Sequence, residues 1–119
     1  MKVLVIDDDR AIRAPILLNY WLSIVDEYHW FTSWPENFLQ ILEDNPSITC
    51  ISFDHDLGTS DVSRELYRLF MTDYERFENC LKSRTIVVHS MNPIGAERIK
   101  GLVEPYCKSV KIIPLSSMK

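Results

Sequence analysis

The sequence predicts one α/β domain, a flavodoxin- or receiver-like three-layer sandwich around a parallel five-stranded sheet in the order 2-1-3-4-5. Three observations lead there. Short apolar, β-branched runs alternate with helix-periodic stretches along 119 residues, and such alternation builds parallel sheets through right-handed crossovers. Five strands in that pattern fit the doubly wound order in which strand 1 lies inside the sheet. The length suits a single domain, residues 1–119, whose core needs neither a disulfide nor a structural metal.

Lys2–Ile6 reads Lys-Val-Leu-Val-Ile, a strand apolar enough to be buried on both faces. Residues 11–25 place Ile12, Ile16, Leu17, Tyr20, Trp21 and Ile24 at three- and four-residue steps, which predicts a helix. Pro15 sits inside the pattern and sets the regular part to begin near Pro15. Residues 28–31 form a short aromatic strand at a sheet edge, where Trp30 or Trp34 is a candidate contact surface. Ser33 and Glu36 predict a capping box around Pro35, opening a helix with Phe38, Leu39 and Leu42 inward and ending at Asn45-Pro46. Ile48–Phe53 is the third strand. Ser60 or Asp61 then caps a long helix running to about Leu81, with Leu66, Leu69, Phe70, Tyr74, Phe77 and Leu81 inward. Thr85–Val88 is the fourth strand. Pro93 opens a helix with Ile99, Leu102, Val103 and Tyr106 inward, and residues 110–113 form the fifth strand before Pro114.

Composition narrows the function. Nothing in a net charge of −4 suggests a sequence-independent grip on duplex nucleic acid, which needs basic patches. Cys50, Cys80 and Cys107 lie far apart, without disulfide or zinc spacing, and read as mostly buried thiols in a reducing compartment. Lys2 and a strand follow Met1 at once, and no apolar run reaches the ~18 residues of a membrane span. A cytoplasmic location with no membrane contact is expected.

In the order 2-1-3-4-5, strands 1, 3 and 4 are neighbours. Their carboxyl ends carry Asp7-Asp8-Asp9-Arg10, Asp54-His55-Asp56 and His89-Ser90, where open α/β sheets bind ligands. Packed carboxylates repel one another unless a cation fills the space, and hard divalent ions take oxygen ligands. Asp7 or Asp8 with Asp54 is the natural pair across strands 1 and 3, whereas Asp9 and Asp61 read as helix caps. His55 and His89 can move protons beside the acids, and His29 reads as structural. Arg10 can clamp a phosphate or pair with adjacent acids. Asn92-Pro93-Ile94-Gly95 reads as a turn into a helix that offers free N–H groups to an anion. A Ser90-His89-Asp54 triad is disfavoured, because adjacent strand residues point to opposite faces.

These residues resemble the receiver domain of two-component response regulators, with paired acids after strand 1, an acceptor aspartate after strand 3 and Ser or Thr after strand 4. Here those are Asp7-Asp8, Asp54 and Ser90, but no lysine follows strand 5, where the chain reads Ile113-Pro114-Leu115-Ser116. The chain is more similar to the cyclic-phosphate processing receiver domains. That resemblance rests on Ile6-Asp7-Asp8-Asp9-Arg10 with Pro15, Asp54-His55-Asp56-Leu57-Gly58, and His89-Ser90-Met91-Asn92-Pro93-Ile94-Gly95.

The resulting expectation is a metal-dependent phosphoesterase acting on a cyclic phosphate, either a cyclic nucleotide or a 2′,3′-cyclic RNA end. Asp8 and Asp54 would hold Mg²⁺ or Mn²⁺, assisted by Asp7 or Asp56. His89 or His55 would protonate the leaving oxygen, and Arg10, Ser90 and Asn92 would bind phosphate. In a variant, Asp54 itself attacks. The alternatives are a module that sequesters a nucleotide without cleaving it, and a signalling receiver phosphorylated on Asp54.

Overall fold

The computed structural model describes residues 1–113. Five strands, β1 (Lys2–Ile6), β2 (Glu27–Phe31), β3 (Ile48–Phe53), β4 (Thr85–Val88) and β5 (Ser109–Ile112), pair in parallel in the order β2-β1-β3-β4-β5. The predicted sheet is therefore the observed one. Five helices connect it: α1 (Arg10–Tyr20), α2 (Phe38–Asp44), α3 (Val62–Thr72), α4 (Tyr74–Leu81) and α5 (Pro93–Val103). A short 3₁₀ turn at Leu22–Ile24 follows α1.

The period-two alternation of the strands divides the core between the two faces of the sheet. Leu4, Ile6, Ile51, Phe53, Ile86 and Val88 face α2 to α5. Val3, Val5, Cys50 and Val87 face Leu17 of α1 and Leu22. Among the described residues no helix is long and apolar enough to cross a membrane.

Four local expectations differ from the structure. Helix α1 begins at Arg10, ahead of Pro15, because Asp9 caps it by accepting from the N–H of Ile12. Pro15 is exposed inside the helix, so the carbonyl it leaves unmatched faces water. Ile12 and Ile24 are exposed and take no part in the core. Ser33 and Glu36 form no capping box. Residues 35–37 turn, with the Phe38 N–H bonding the Pro35 carbonyl, and α2 starts at Phe38 without a side-chain cap. The long helix predicted to reach Leu81 is two helices, broken at Asp73, whose φ of −138° and ψ of 49° are non-helical. The break costs the core nothing, since Phe70 and Phe77 still meet each other and Tyr106 at 5.8–6.0 Å between ring centres. Pro114, Leu115 and Ser116, read above for the position after strand 5, lie outside the described residues.

A buried arginine locks the end of the sheet away from the acids. Arg84 donates from Nε to the Ile48 carbonyl, from Nη1 to Cys80, and from Nη2 to Leu42 and Asn45. Among the described residues carbonyls alone satisfy it, with no carboxylate partner, and burial lowers its pKa.

Candidate active site at the carboxyl ends of strands 1, 3 and 4

The parallel ladder continues one residue past each central strand. The N–H of Asp7 bonds the Phe31 carbonyl (3.0 Å), that of Asp54 bonds Ile6 (2.9 Å), and that of His89 bonds Phe53 (2.8 Å). Asp7, Asp54 and His89 are thereby held side by side. Each continues a row of side chains on the α1 face of the sheet: Val3 and Val5, Cys50 and Ser52, and Val87. Helix α1 only begins at Arg10, so the ends of these rows lie beyond the body of that helix.

One oxygen each from Asp7, Asp8 and Asp54 lies within 4.8 Å of the others, close enough together to share one metal ion. Asp7 and Asp54 are buried and Asp8 is exposed. The Asp54 carboxyl is pushed up from 3.8 to about 6, first by burial and then by the negative charge of Asp7. The hydrogen bond from the His55 N–H (2.8 Å) and the nearby His89 and Arg13 oppose that rise. Burial and Asp7 also raise Asp8. These carboxylates destabilise one another, a penalty that a cation relieves. The donor set is all oxygen, as Mg²⁺ and Mn²⁺ prefer, so the residues fit such an ion.

Asp56 does not join this group. It is exposed, and its Oδ1 faces the Nδ1 of His55 at 3.0 Å while its Oδ2 lies 3.4 Å from the amide of Asn92. The chain reverses after it, through Gly58 at a φ of 81°, and pairs Asp56 with Asp61. Asp56 therefore points along the β3–α3 loop, apart from the three acids that converge.

Both candidate histidines are buried with both ring nitrogens engaged. His89 joins Asp7 Oδ2 through Nε2 (2.9 Å) and Ser52 Oγ through Nδ1 (2.6 Å). His55 joins Asp56 through Nδ1 and Ser63 Oγ through Nε2 (3.0 Å). Its ring lies against the first turn of α5, where a Cβ on Gly95 would come closer than 3.0 Å to three ring atoms. The glycine in Asn92-Pro93-Ile94-Gly95 thus has a physical reason: it admits the imidazole from Asp54-His55-Asp56. A ring held on both sides orients its neighbours and presents no free nitrogen to a ligand.

Ser90 is buried and its Oγ accepts from the Asn92 N–H at 3.0 Å. Asn92 caps α5 by accepting from the Gly95 N–H (3.0 Å). Ser90 and His89 do not touch through their side chains, in keeping with the exclusion of a triad. Arg10 is exposed, with its guanidinium 5.9 Å above the centre of the Trp30 ring. The Trp30 indole donates to the Asp7 carbonyl at 2.8 Å, which ties β2 to the acid loop. Arg10 makes no ion pair among the described residues. His29 lies outside the site, exposed on β2, 3.2 Å from Glu27.

Sequence reasoning missed Arg13, whose Nε lies 3.6 Å from Asp7 Oδ2. The available signal was its place one helical turn after Arg10, which matters only once α1 is known to start at Arg10.

Against known families, residues 1–105 match the model of the cyclic-phosphate processing receiver domain. The chain belongs to that family. No curated protein matches the sequence. Among solved structures, the signal receiver domain of an HD domain-containing protein from Pseudomonas fluorescens Pf-5 is similar at a TM-score of 0.54 and 14% identity, over 93% of this chain and 74% of that one. A response regulator from Burkholderia pseudomallei, described with a phosphorylated aspartic acid, a calcium ion and citrate, gives 0.60 and 13%, over 99% and 66%. The RcsB response regulator of Salmonella typhimurium gives 0.50 and 15%, over 94% and 52%. At these identities the likeness shows the fold. The chain spans between about half and three-quarters of those longer chains.

Proposed function

We propose that this cyclic-phosphate processing receiver domain is a divalent-cation-dependent phosphoesterase that opens a cyclic phosphate, in a cyclic nucleotide or at a 2′,3′-cyclic RNA end. The observation that carries this reading is the convergence of Asp7, Asp8 and Asp54 within 4.8 Å at the ligand-binding edge of the sheet. These three would hold Mg²⁺ or Mn²⁺. A bound ion supplies charge that neutralises phosphate oxygens and eases deprotonation of an attacking water.

The chain's own residues do the positioning. Asp7 cannot swing, because His89 holds one oxygen and the Asp9 N–H (2.9 Å) holds the other. The His55 N–H fixes Asp54. Arg10, seated on Trp30, offers its guanidinium to a phosphate oxygen. Ser90 and Asn92 shape the β4–α5 turn that borders Asp56. Opening consumes one water: a P–O bond to the water oxygen forms, a ring P–O bond breaks, and a proton passes to the departing oxygen. His55 and His89 act here through the carboxylates and loops they hold. A cytoplasmic protein meeting a small cyclic phosphate or an RNA end is the setting this reading implies.

The engagement of both imidazoles also favours a second reading, binding without turnover, since neither ring is free to protonate a leaving group. Phosphorus NMR separates the two. The protein is incubated with Mg²⁺, or with Mn²⁺ that is chelated before acquisition, and with cyclic mononucleotides, cyclic dinucleotides and an RNA ending in a 2′,3′-cyclic phosphate. A ring-opened product with wild type, and none with Asp54→Asn, is the expected result. Shifted ligand signals without product would replace the esterase by a sequestering module. A base-labile, hydroxylamine-sensitive adduct with acetyl phosphate and no turnover would replace it by a receiver phosphorylated on Asp54.

A further inference from the structure

Two largely buried arginines in this fold are treated in opposite ways. Arg84 has donors on Nε, Nη1 and Nη2 all matched to carbonyls. The side chain of Arg13, only 17% exposed, makes no hydrogen bond among the described residues. Its Nε is fully shielded and has no hydrogen-bond partner among the described residues. Its ion-pair partner, Asp7 Oδ2, lies 3.6 Å away, beyond hydrogen-bond reach, and already accepts from His89 at 2.9 Å. Asp7 Oδ1 accepts from the Asp9 N–H. Asp7 therefore has its own donors, and Arg13 is not needed to satisfy it. A shielded guanidinium N–H without an acceptor is costly to leave unmatched. Helix α1 nonetheless delivers it to the acid cluster, tied into the first turn by the Arg13 N–H to the Asp9 carbonyl (2.9 Å).

We propose that Arg13 is a phosphoryl-binding residue, whose guanidinium takes the non-bridging oxygens of a phosphate seated at Asp7, Asp8 and Asp54. This rests on the reading of those acids as a cation and phosphate site. A planar fork of donors suits two oxygens of one phosphate. Arg10, exposed above Trp30, lies on the solvent side of the same loop. The two arginines then grip a phosphate from the inside and the outside of the β1–α1 turn.

The rival role for Arg13 is a counter-charge that only steadies Asp7. The two roles differ in what they predict for phosphate binding to the metal-loaded protein. Mn²⁺ affinity is measured by electron paramagnetic resonance, and inorganic phosphate is then titrated onto the Mn²⁺-loaded protein, in wild type, Arg13→Gln and Arg13→Lys. If Arg13 binds phosphoryl oxygens, Arg13→Gln keeps or raises Mn²⁺ affinity, because a positive charge has left the cluster. It also weakens phosphate binding about tenfold or more, as loss of a charge-assisted hydrogen bond should. Should Arg13→Gln fail to fold, Arg13→Lys decides. Its point charge keeps Mn²⁺ binding but lacks the fork, so phosphate binding still falls. Phosphate affinity within twofold of wild type, in a variant that binds Mn²⁺, overturns the role of Arg13 alone. Wild type that takes up no Mn²⁺ overturns the reading of the acids, and the assignment of Arg13 with it.

Discussion

Asp54→Asn should make the metal-free protein more stable at neutral pH, although it removes the residue at the centre of the site. Asparagine keeps the Oδ1 acceptor that faces the His55 N–H at 2.8 Å and removes the charge. The folded protein raises the Asp54 carboxyl from 3.8 to about 6, by burial and then by Asp7. The folded state thus holds a proton that the unfolded chain has released between those values. Stability from Asp54 is fully present below about pH 4 and is lost as pH rises through about 6. At about 1.4 kcal/mol per pH unit, the ionised carboxylate costs the native state up to about 3 kcal/mol at pH 7.5. In a domain of this size that is a difference in melting temperature of roughly 10 °C. The assay is urea and thermal unfolding of wild type and variant in a chelator, from pH 4 to 7.5. The variant should be more stable at pH 7.5, and the gap should close towards pH 4. Mg²⁺ at about 1,000 times its dissociation constant should then reverse the order at pH 7.5, since it adds about 4.1 kcal/mol to the form that binds it. A variant less stable than wild type at pH 7.5 without metal, or a gap constant with pH, would refute the argument.

Three further perturbations probe the supports of the site and the opposite end of the sheet. His89→Ala leaves Asp7 and Ser52 without their shared partner in a fully buried setting, and should cost about 3–5 kcal/mol in urea unfolding; a loss below 1 kcal/mol would deny His89 its bracing role. Gly95→Ala drives a methyl group into the His55 ring and should destabilise by about 1–3 kcal/mol, whereas Gly101→Ala, with nothing within 4 Å of the new Cβ in the same helix, should stabilise by up to about 1 kcal/mol. Equal effects at the two glycines would show that the His55 contact is not tight. Arg84→Lys should not rescue the four carbonyls that the guanidinium serves, and should unfold at a lower urea concentration by about 1–3 kcal/mol of stability; wild-type stability would mean that water replaces those bonds.

Strand-length apolar runs and their spacing were enough to determine the parallel sheet and its order, because buried strands must be apolar on both faces and crossovers have one hand. From the same pattern it followed that Asp7, Asp8, Asp54 and His89 share one end of three adjacent strands. The caps at Asp9 and Asp61 were legible too, since capping is a local exchange between a side chain and the next turn. Tertiary structure alone decided the rest. Hydrophobic period runs unbroken across Asp73, so it could not report that α3 and α4 are separate. Pro15 is tolerated because its turn faces water, and exposure is not written in a local motif. Asp56 and Asp54 are the same residue type two positions apart, yet the turn through Gly58 sends one to His55 and Asn92 while the ladder holds the other beside Asp7. His55 and His89 read as free imidazoles until packing filled both nitrogens of each. Arg13 carried no motif at all. Periodicity reports which face a residue is on. What that side chain meets depends on elements distant in the chain, and here those contacts separate carboxylates able to share a cation from the side chains that hold them in place.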